Sequence, residues 1–398
     1  VVYSLIFKKF ASHCFSLYAF DLAGAALGSG AVIAAFTLFA APNAVIFLSV
    51  IIFMAAVIFA QKLLNKKIIF CFLSLLILGA VLIIMFGHTN YLGRVPIGNY
   101  PEKDFYHVYS QPGIKSKIID SRWSIYGRSD LVEYSHQDMV KQLFIDGAAG
   151  TQMFRFKGNI KNLNPILYNL LVRFSTTIPF MFLREHERDR MLVIGPGGGK
   201  EVLIGLLSGI KHITGVEVNP DFVDIVRDHS DFNGGIYTDF PQVDIQVKEG
   251  RHYIKKTDQK YDIIVIALPS TEQLQNIDNF AMSENYLLTA EAIQDYLNIL
   301  TSEGRLIFTV HNRWELIRLL VTVISAFNKK DISNQEALNH FVILAPDYAP
   351  TIVIKKNAFS RGEIAYINNV INTIPSDLPS VTYLPFHWEA APHTLENK

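Results

Sequence analysis

At 398 residues the chain exceeds one typical domain, so two or three structural units are expected. Its 36 basic and 36 acidic residues cancel to zero net charge, which removes the electrostatic footprint of a nucleic-acid-binding protein. Half of the residues are hydrophobic, and the two cysteines, Cys14 and Cys71, fall in apolar stretches, which argues against a disulfide framework or a cysteine-based zinc site.

The apolar excess lies at the N-terminal end. No charged residue occurs from Leu22 to Gln61 or from Ile68 to Gly93. A bilayer core needs about 20 apolar residues in helical form. The run Phe15–Ala41 meets that length, and Pro42-Asn43 breaks it. Ala44–Ala60 supplies a shorter second span, and Ile68–Gly87 a third beyond the basic loop Gln61–Lys67. Three spans fit a signal peptide poorly and make membrane lipid an expected partner. Gly24 and Gly28 form a small-xxx-small pattern that lets helices pack closely in lipid, and Asp21 is placed at the interface. Lys8, Lys9, Lys62, Lys66 and Lys67 belong on the cytoplasmic side. With three spans that rule would leave the remainder outside the cytoplasm, away from any nucleoside. The sequence begins at Val1 rather than methionine. Helices upstream of Val1, or one apolar segment that does not span, would restore a cytoplasmic soluble part, and that placement is expected.

From His88 to Arg190 aromatic and β-branched residues alternate with polar ones, as in Ser121-Arg122-Trp123-Ser124-Ile125-Tyr126. Gln142-Leu143-Phe144-Ile145 runs into Asp146-Gly147, a strong hairpin signal. The spacing predicts a small β-rich lobe, then helix around Pro165–Phe182, together acting as a lid or substrate-side wall.

Met191–Ile194 is a continuous apolar run of the kind a central parallel strand needs. It enters Gly195-Pro196-Gly197-Gly198-Gly199-Lys200-Glu201 and then a helical pattern to Ser208. Glycines let the backbone turn tightly and approach a ligand, and the helix start offers unpaired N–H groups to it. A second strand, His212–Val218, carries Glu217, 22 positions after Gly195 and placed to accept from ribose hydroxyls, with Val218 beside it. A dinucleotide loop has its third glycine where Lys200 stands; the spacing through Gly195, Gly197 and Gly199 favours a nucleoside such as S-adenosylmethionine. Val243–Val247 is a third strand, followed by Glu249-Gly250, where the acid is within reach of an adenine amino group or sits in a solvated loop. Tyr261–Ala267 is a fourth strand, Thr289–Leu300 a helix, Arg305–Val310 a fifth strand, and Trp314–Phe327 a helix. Late strands are expected at His340–Leu344 and Thr351–Ile354. This alternation implies an α/β, Rossmann-like, doubly wound parallel sheet with ligands outside the carboxyl ends of its strands. Gly195–Gly199, Glu217, Glu249 and the loop after Ala267 then surround one cavity.

In order, Ser121-Arg122-Trp123, Leu143–Gly147, the glycine loop, Gly215-Val216-Glu217-Val218-Asn219-Pro220, Tyr261-Asp262-Ile263-Ile264 and Ser283–Thr289 resemble spermidine synthases. The likeness is greatest to the bacterial branch that fuses such a domain behind several membrane helices. Phe20–Gly28 resembles the last part of that membrane region, which implies an inner-membrane protein with further helices upstream. The resemblance implies a class I S-adenosylmethionine-type fold in three parts: transmembrane helices at 1–90, a β-rich lobe at 91–190 and a Rossmann-like cofactor domain at 191–398. It implies S-adenosylmethionine or its decarboxylated form as cofactor, held by Gly195, Gly197, Gly198, Gly199, Glu217, Val218, Glu249, Gly250 and Ala267.

The chain departs from that pattern where chemistry matters. The family's loop aspartate falls at Gly198, its Asp-Ser-Ser-Asp segment at Ala267-Leu268-Pro269-Ser270, and its glutamine after the hairpin at Gly150. A polyamine is at least a dication, so its site needs carboxylates to bind it and a base to free one amine. Glu284, Tyr286 and Asp278, in the loop after the fourth strand, are the candidate catalytic replacements, and a capping or surface role is the alternative for each. His311 is placed to line the cavity. No metal-ligand spacing and no Ser/His/Asp set is present. The expectation is methyl-type transfer to a small or membrane-associated acceptor. Aminopropyl transfer with displaced acids, or a non-catalytic nucleoside-binding membrane protein, stand as alternatives, and self-association of the chain is a further expectation.

Overall fold

The computed structural model describes residues 2–38, 41–60, 65, 69, 71–79, 103–109, 113, 115–135, 137–269, 286–346, 348–375, 378–379 and 381–386. The chain divides into two compact units, Val1–Gly98 with Ser121–Ser129, and Asn99–Asp120 with Asp130–Lys398.

In the first unit the helices Cys14–Leu38 and Ala41–Ala60 are apolar around their whole circumference. Phe15, Phe20 and Leu27 are 92 %, 78 % and 75 % exposed, so this helix has no polar face to give to water. By length and composition Ala11–Ala35 can cross a membrane; Asn43–Ala56 is apolar but shorter. Of the three expected spans, one therefore meets the criterion among the described residues, and much of the third lies outside them.

The described residues form two sheets, the larger of them wholly in the second unit. The strands β1 (Ser116–Ser124), β2 (Gly127–Tyr134), β3 (Val140–Ile145) and β4 (Ala148–Phe154) follow one another in spatial order. Asp146 and Gly147 join β3 to β4 with φ of 51° and 76°, the two positive values that a tight hairpin turn of the right twist demands.

The larger sheet contains β5 (Arg190–Ile194), β6 (His212–Glu217), β7 (Val243–Val247), β8 (Tyr261–Ala267), β9 (Leu300–Thr309), β10 (Phe341–Leu344), β11 (Thr351–Lys355) and β12 (Val381–Tyr383). Its spatial order is β12-β10-β11-β9-β8-β5-β6-β7. Strands β5 to β9 are parallel, whereas β9–β11, β11–β10 and β10–β12 are antiparallel. The expected parallel sheet thus acquires an antiparallel edge. Only residues 345–350 separate β10 from β11, too few for a parallel crossover, which takes a dozen or more. Met191 and Val193 of β5 join one apolar cluster with Val202, Leu206 and Val223; Leu192 and Ile194 join another with Ile254, Ile293 and Leu319. Helices therefore cover both faces, which is why β5 reads as an unbroken apolar run. From β5 the chain moves outward through β6 to β7, then returns to place β8 on the other side of β5. That reversal opens a crevice at the carboxyl ends of β5 and β8.

Deep in this unit, Arg305 of β9 is 1 % exposed and donates through Nε to Glu187 Oε1 at 2.9 Å, with a second bond from Nη2. Its register partner Lys355 is equally buried and pairs with Glu303 at 2.6 Å and Glu363 at 2.5 Å. Removing one member of such a pair leaves a buried charge uncompensated. Glu187→Ala is expected to cost about 3–5 kcal/mol, read as a lower midpoint of the urea transition followed by near-ultraviolet circular dichroism.

Candidate cofactor site

The site begins where β5 ends. Gly195, Gly197 and Gly199 adopt φ of 69°, 50° and 90°, which lets residues 195–199 curl back before the helix Lys200–Leu207 starts. Gly195 N–H continues the strand ladder to Val216 O at 2.9 Å, and Gly199 N–H closes a turn onto Pro196 O at 2.8 Å. Gly197 N–H donates to Glu217 Oε2 at 3.1 Å, while Asn219 N–H donates to Glu217 Oε1 at 3.0 Å. Glu217 thereby ties the glycine loop to the end of β6.

Glu217 is buried, and burial holds its carboxyl above the usual carboxylate range, opposed by the N–H groups of Asn219, Gly197 and Val218. A carboxyl raised in this way contributes stability at pH below its unfolded value, and that contribution is lost as pH rises through the folded value. Each carboxylate oxygen can accept two hydrogen bonds, so acceptor capacity remains after the two backbone bonds. Val218, 39 % exposed beside it, offers apolar surface for a base.

Two residues that sequence reasoning did not single out hold this loop. Thr151 Oγ1 of β4 accepts from Gly198 N–H at 3.1 Å, and Tyr237 donates its hydroxyl to Gly197 O at 3.0 Å. Tyr237 is buried; burial, then the charges of Glu217 and Glu201, keeps its hydroxyl protonated. A side chain at position 198 is excluded, since a Cβ there would stand 2.3 Å from Gln152 O and 2.9 Å from Met153 N. Backbone cannot move aside as a side chain tip can. Nothing in the local sequence pairs Thr151 with Gly198 across 47 positions; period-two alternation places Thr151 on one face of β4 and no more.

The remaining predicted residues are partly brought together. Gly250 packs under the end of β5: a Cβ there would lie 2.8 Å from Ile194 Cγ2 and 3.7 Å from Leu287. Glu249 is exposed and caps the helix Gly250–Lys256, accepting from Arg251 N–H at 2.9 Å and His252 N–H at 2.6 Å. The cap is a third role beside the adenine contact and the solvated loop that the sequence suggests. Lys200 pairs with the buried Glu201 at 3.1 Å and stacks on Phe174, 4.2 Å from the ring centre. Ala267 ends β8 opposite Thr309, and Leu268 follows with φ of 51° and its N–H on Thr309 O. Behind them runs a buried chain of hydroxyls, with Thr309 2.7 Å from Thr351 and 3.0 Å from Thr176. His311 is buried beyond β9, where its N–H donates to Glu315 Oε2 at 2.7 Å. Tyr286 is 61 % exposed; Asp278, Glu284 and Ser270 lie outside the described residues.

No protein-family profile matches the chain. It is similar to the polyamine aminopropyltransferase of Korarchaeum cryptofilum, with 25% identity over 140 residues covering 35% of this chain and 43% of that protein. The polyamine aminopropyltransferase of Thermoplasma acidophilum is 26% identical over 153 residues, covering 38% and 50%. The chain spans about half the length of these relatives. Among solved structures, the spermidine synthase from Thermotoga maritima covers 66% of this chain and 80% of its own, with a TM-score of 0.43 and 15% identity.

Thr151→Val keeps the shape of that side chain and removes the acceptor of Gly198 N–H. It is expected to cost about 1–3 kcal/mol, with Thr151→Ser retaining most of the stability, in paired urea titrations.

Proposed function

We propose that this chain is a membrane-tethered, S-adenosylmethionine-dependent transferase that moves a methyl-type group to a small or membrane-associated acceptor. One observation carries the reading: a glycine loop, Gly195–Gly199, tied to the buried Glu217, in a chain whose β8 end carries no carboxylate at Ala267-Leu268-Pro269. The residues present fit such a cofactor. Glu217 would accept from ribose hydroxyls, Val218 and Gly250 would flank the base, and Gly197–Gly199 would allow close approach of the tail. The cofactor supplies an electrophilic carbon on a sulfonium.

What the protein must add is mainly position. With the cofactor bound, the site would hold the acceptor's nucleophilic atom in line with the carbon–sulfur bond, so that transfer would release a neutral thioether and pass the acceptor's proton to solvent. The end of β8 at Ala267-Leu268-Pro269 suits a neutral acceptor better than a polycation, which would require paired carboxylates. The curated relatives are named polyamine aminopropyltransferases, and that name supports aminopropyl transfer as the second reading. Against it stand Gly198, where β4 leaves no room for an acid, and Ala267. A nucleoside cofactor places the soluble part, from about residue 91 onward, on the cytoplasmic side.

Calorimetric titration of the full chain in nanodiscs tests the reading. S-adenosylmethionine is expected to bind at least about tenfold tighter than its decarboxylated form, and Glu217→Ala to weaken it about 10- to 100-fold, the loss of charge-assisted hydrogen bonds. Affinity should rise with pH through the raised carboxyl range, because the ionised form is the better acceptor, and Glu217→Gln should abolish that dependence. Preference for the decarboxylated form would establish the second reading instead.

A further inference from the structure

The helix Arg313–Asn328 packs one face into the core through Leu316, Leu319, Val323, Ala326 and Phe327. Its outer face is also apolar. Trp314, Ile317 and Val321 are 77 %, 51 % and 64 % exposed, spaced by three and four residues along one side. Ile324 and Leu338 extend the stripe into a groove that Val321, Ser325 and Asn334 also line. From Trp314 to Ile324 the stripe runs about 15 Å.

Charge on this helix is one-sided. Arg313 and Arg318 are exposed, and its single acid, Glu315, is buried against His311. Of the nearby acids, Glu291 pairs with Lys329 at 2.6 Å, and the charge of Arg318 acts on the buried Glu315. Tryptophan at one end, aliphatic side chains along the middle and arginines at the border are the composition of a helix that lies in the plane of a membrane interface.

We propose that this face rests on an anionic lipid surface, with Trp314, Ile317 and Val321 entering the headgroup boundary and Arg313 and Arg318 meeting lipid phosphates. The proposal rests on Ala11–Ala35 tethering the chain to a bilayer, which keeps the surface at high effective concentration. A second copy of the chain is the poorer occupant, since self-pairing of this face would oppose arginines with arginines.

The test uses the full chain in vesicles of phosphatidylcholine with or without phosphatidylglycerol, a fraction of the lipid carrying brominated acyl chains. The other tryptophans are Trp123 and Trp388, so the difference between wild type and Trp314→Phe isolates the signal of Trp314. Bromolipid is expected to quench that signal about twofold or more in anionic vesicles, and much less after Arg318→Glu or at high salt. Quenching by aqueous iodide but not by bromolipid would overturn the proposal. Protection from both, growing with protein density and accompanied by cross-linking between copies at Ile317→Cys, would overturn it in favour of self-association. Carbonate extraction reads the tether separately: a chain that resists extraction while Trp314 stays in water refutes this docking alone, and a chain that washes off refutes the tether.

Discussion

Burying the Glu217 carboxylate at the end of β6, with one backbone N–H on each oxygen, is the constraint on which the candidate site depends. One bond comes from Gly197 in the loop after β5 and the other from Asn219 at the start of the next helix. The same side chain therefore sets the loop's curvature, the spacing of the β5 and β6 ends, and the position of a carboxylate that water reaches poorly. Its raised pKa is the energetic record of that burial. A ligand hydroxyl that restores lost solvation gains more here than it would from an exposed acid.

The second constraint is the approach of β4 to the loop. Thr151 takes the Gly198 N–H, and the Gln152 carbonyl occupies the only space a side chain at 198 could use. The absence of an aspartate there is thus built into the packing of two elements and does not depend on one substitution. Together with the uncharged end of β8, it removes carboxylates from two places where a polycationic acceptor would need them. The glycine loop and Glu217 are kept while these two positions carry no charge, and that contrast drives the proposed choice of acceptor.

Much of this was legible in the sequence because the signals were local or periodic. The apolar run of β5, the glycines and Glu217 sit within one strand–turn–helix–strand unit, and Asp146-Gly147 announced its hairpin through turn chemistry alone. Strands β7 and β8 have the limits their apolar runs imply. What sequence could not give was contact between distant segments. Thr151 and Tyr237 reach the loop from 47 and 40 positions away, and neither residue type marks the encounter. The antiparallel edge of β10, β11 and β12 was hidden for a different reason: alternation predicts strands, and only the shortness of the β10–β11 connection fixes their direction. Glu249 was read as an adenine contact or part of a solvated loop, and its two backbone bonds make it a helix cap, a role set by where the next helix starts.

The central claim is that residues 195–199 and Glu217 form a nucleoside-binding cradle. Hydrogen–deuterium exchange of the full chain, with and without S-adenosylmethionine, addresses it without knowledge of the acceptor. The account predicts slower exchange of the amides from 195 to 199 and from 217 to 219, with little change in β10 to β12 and loss of the effect in Glu217→Ala. Unchanged exchange in the loop at saturating cofactor, or protection confined to other segments, would contradict it.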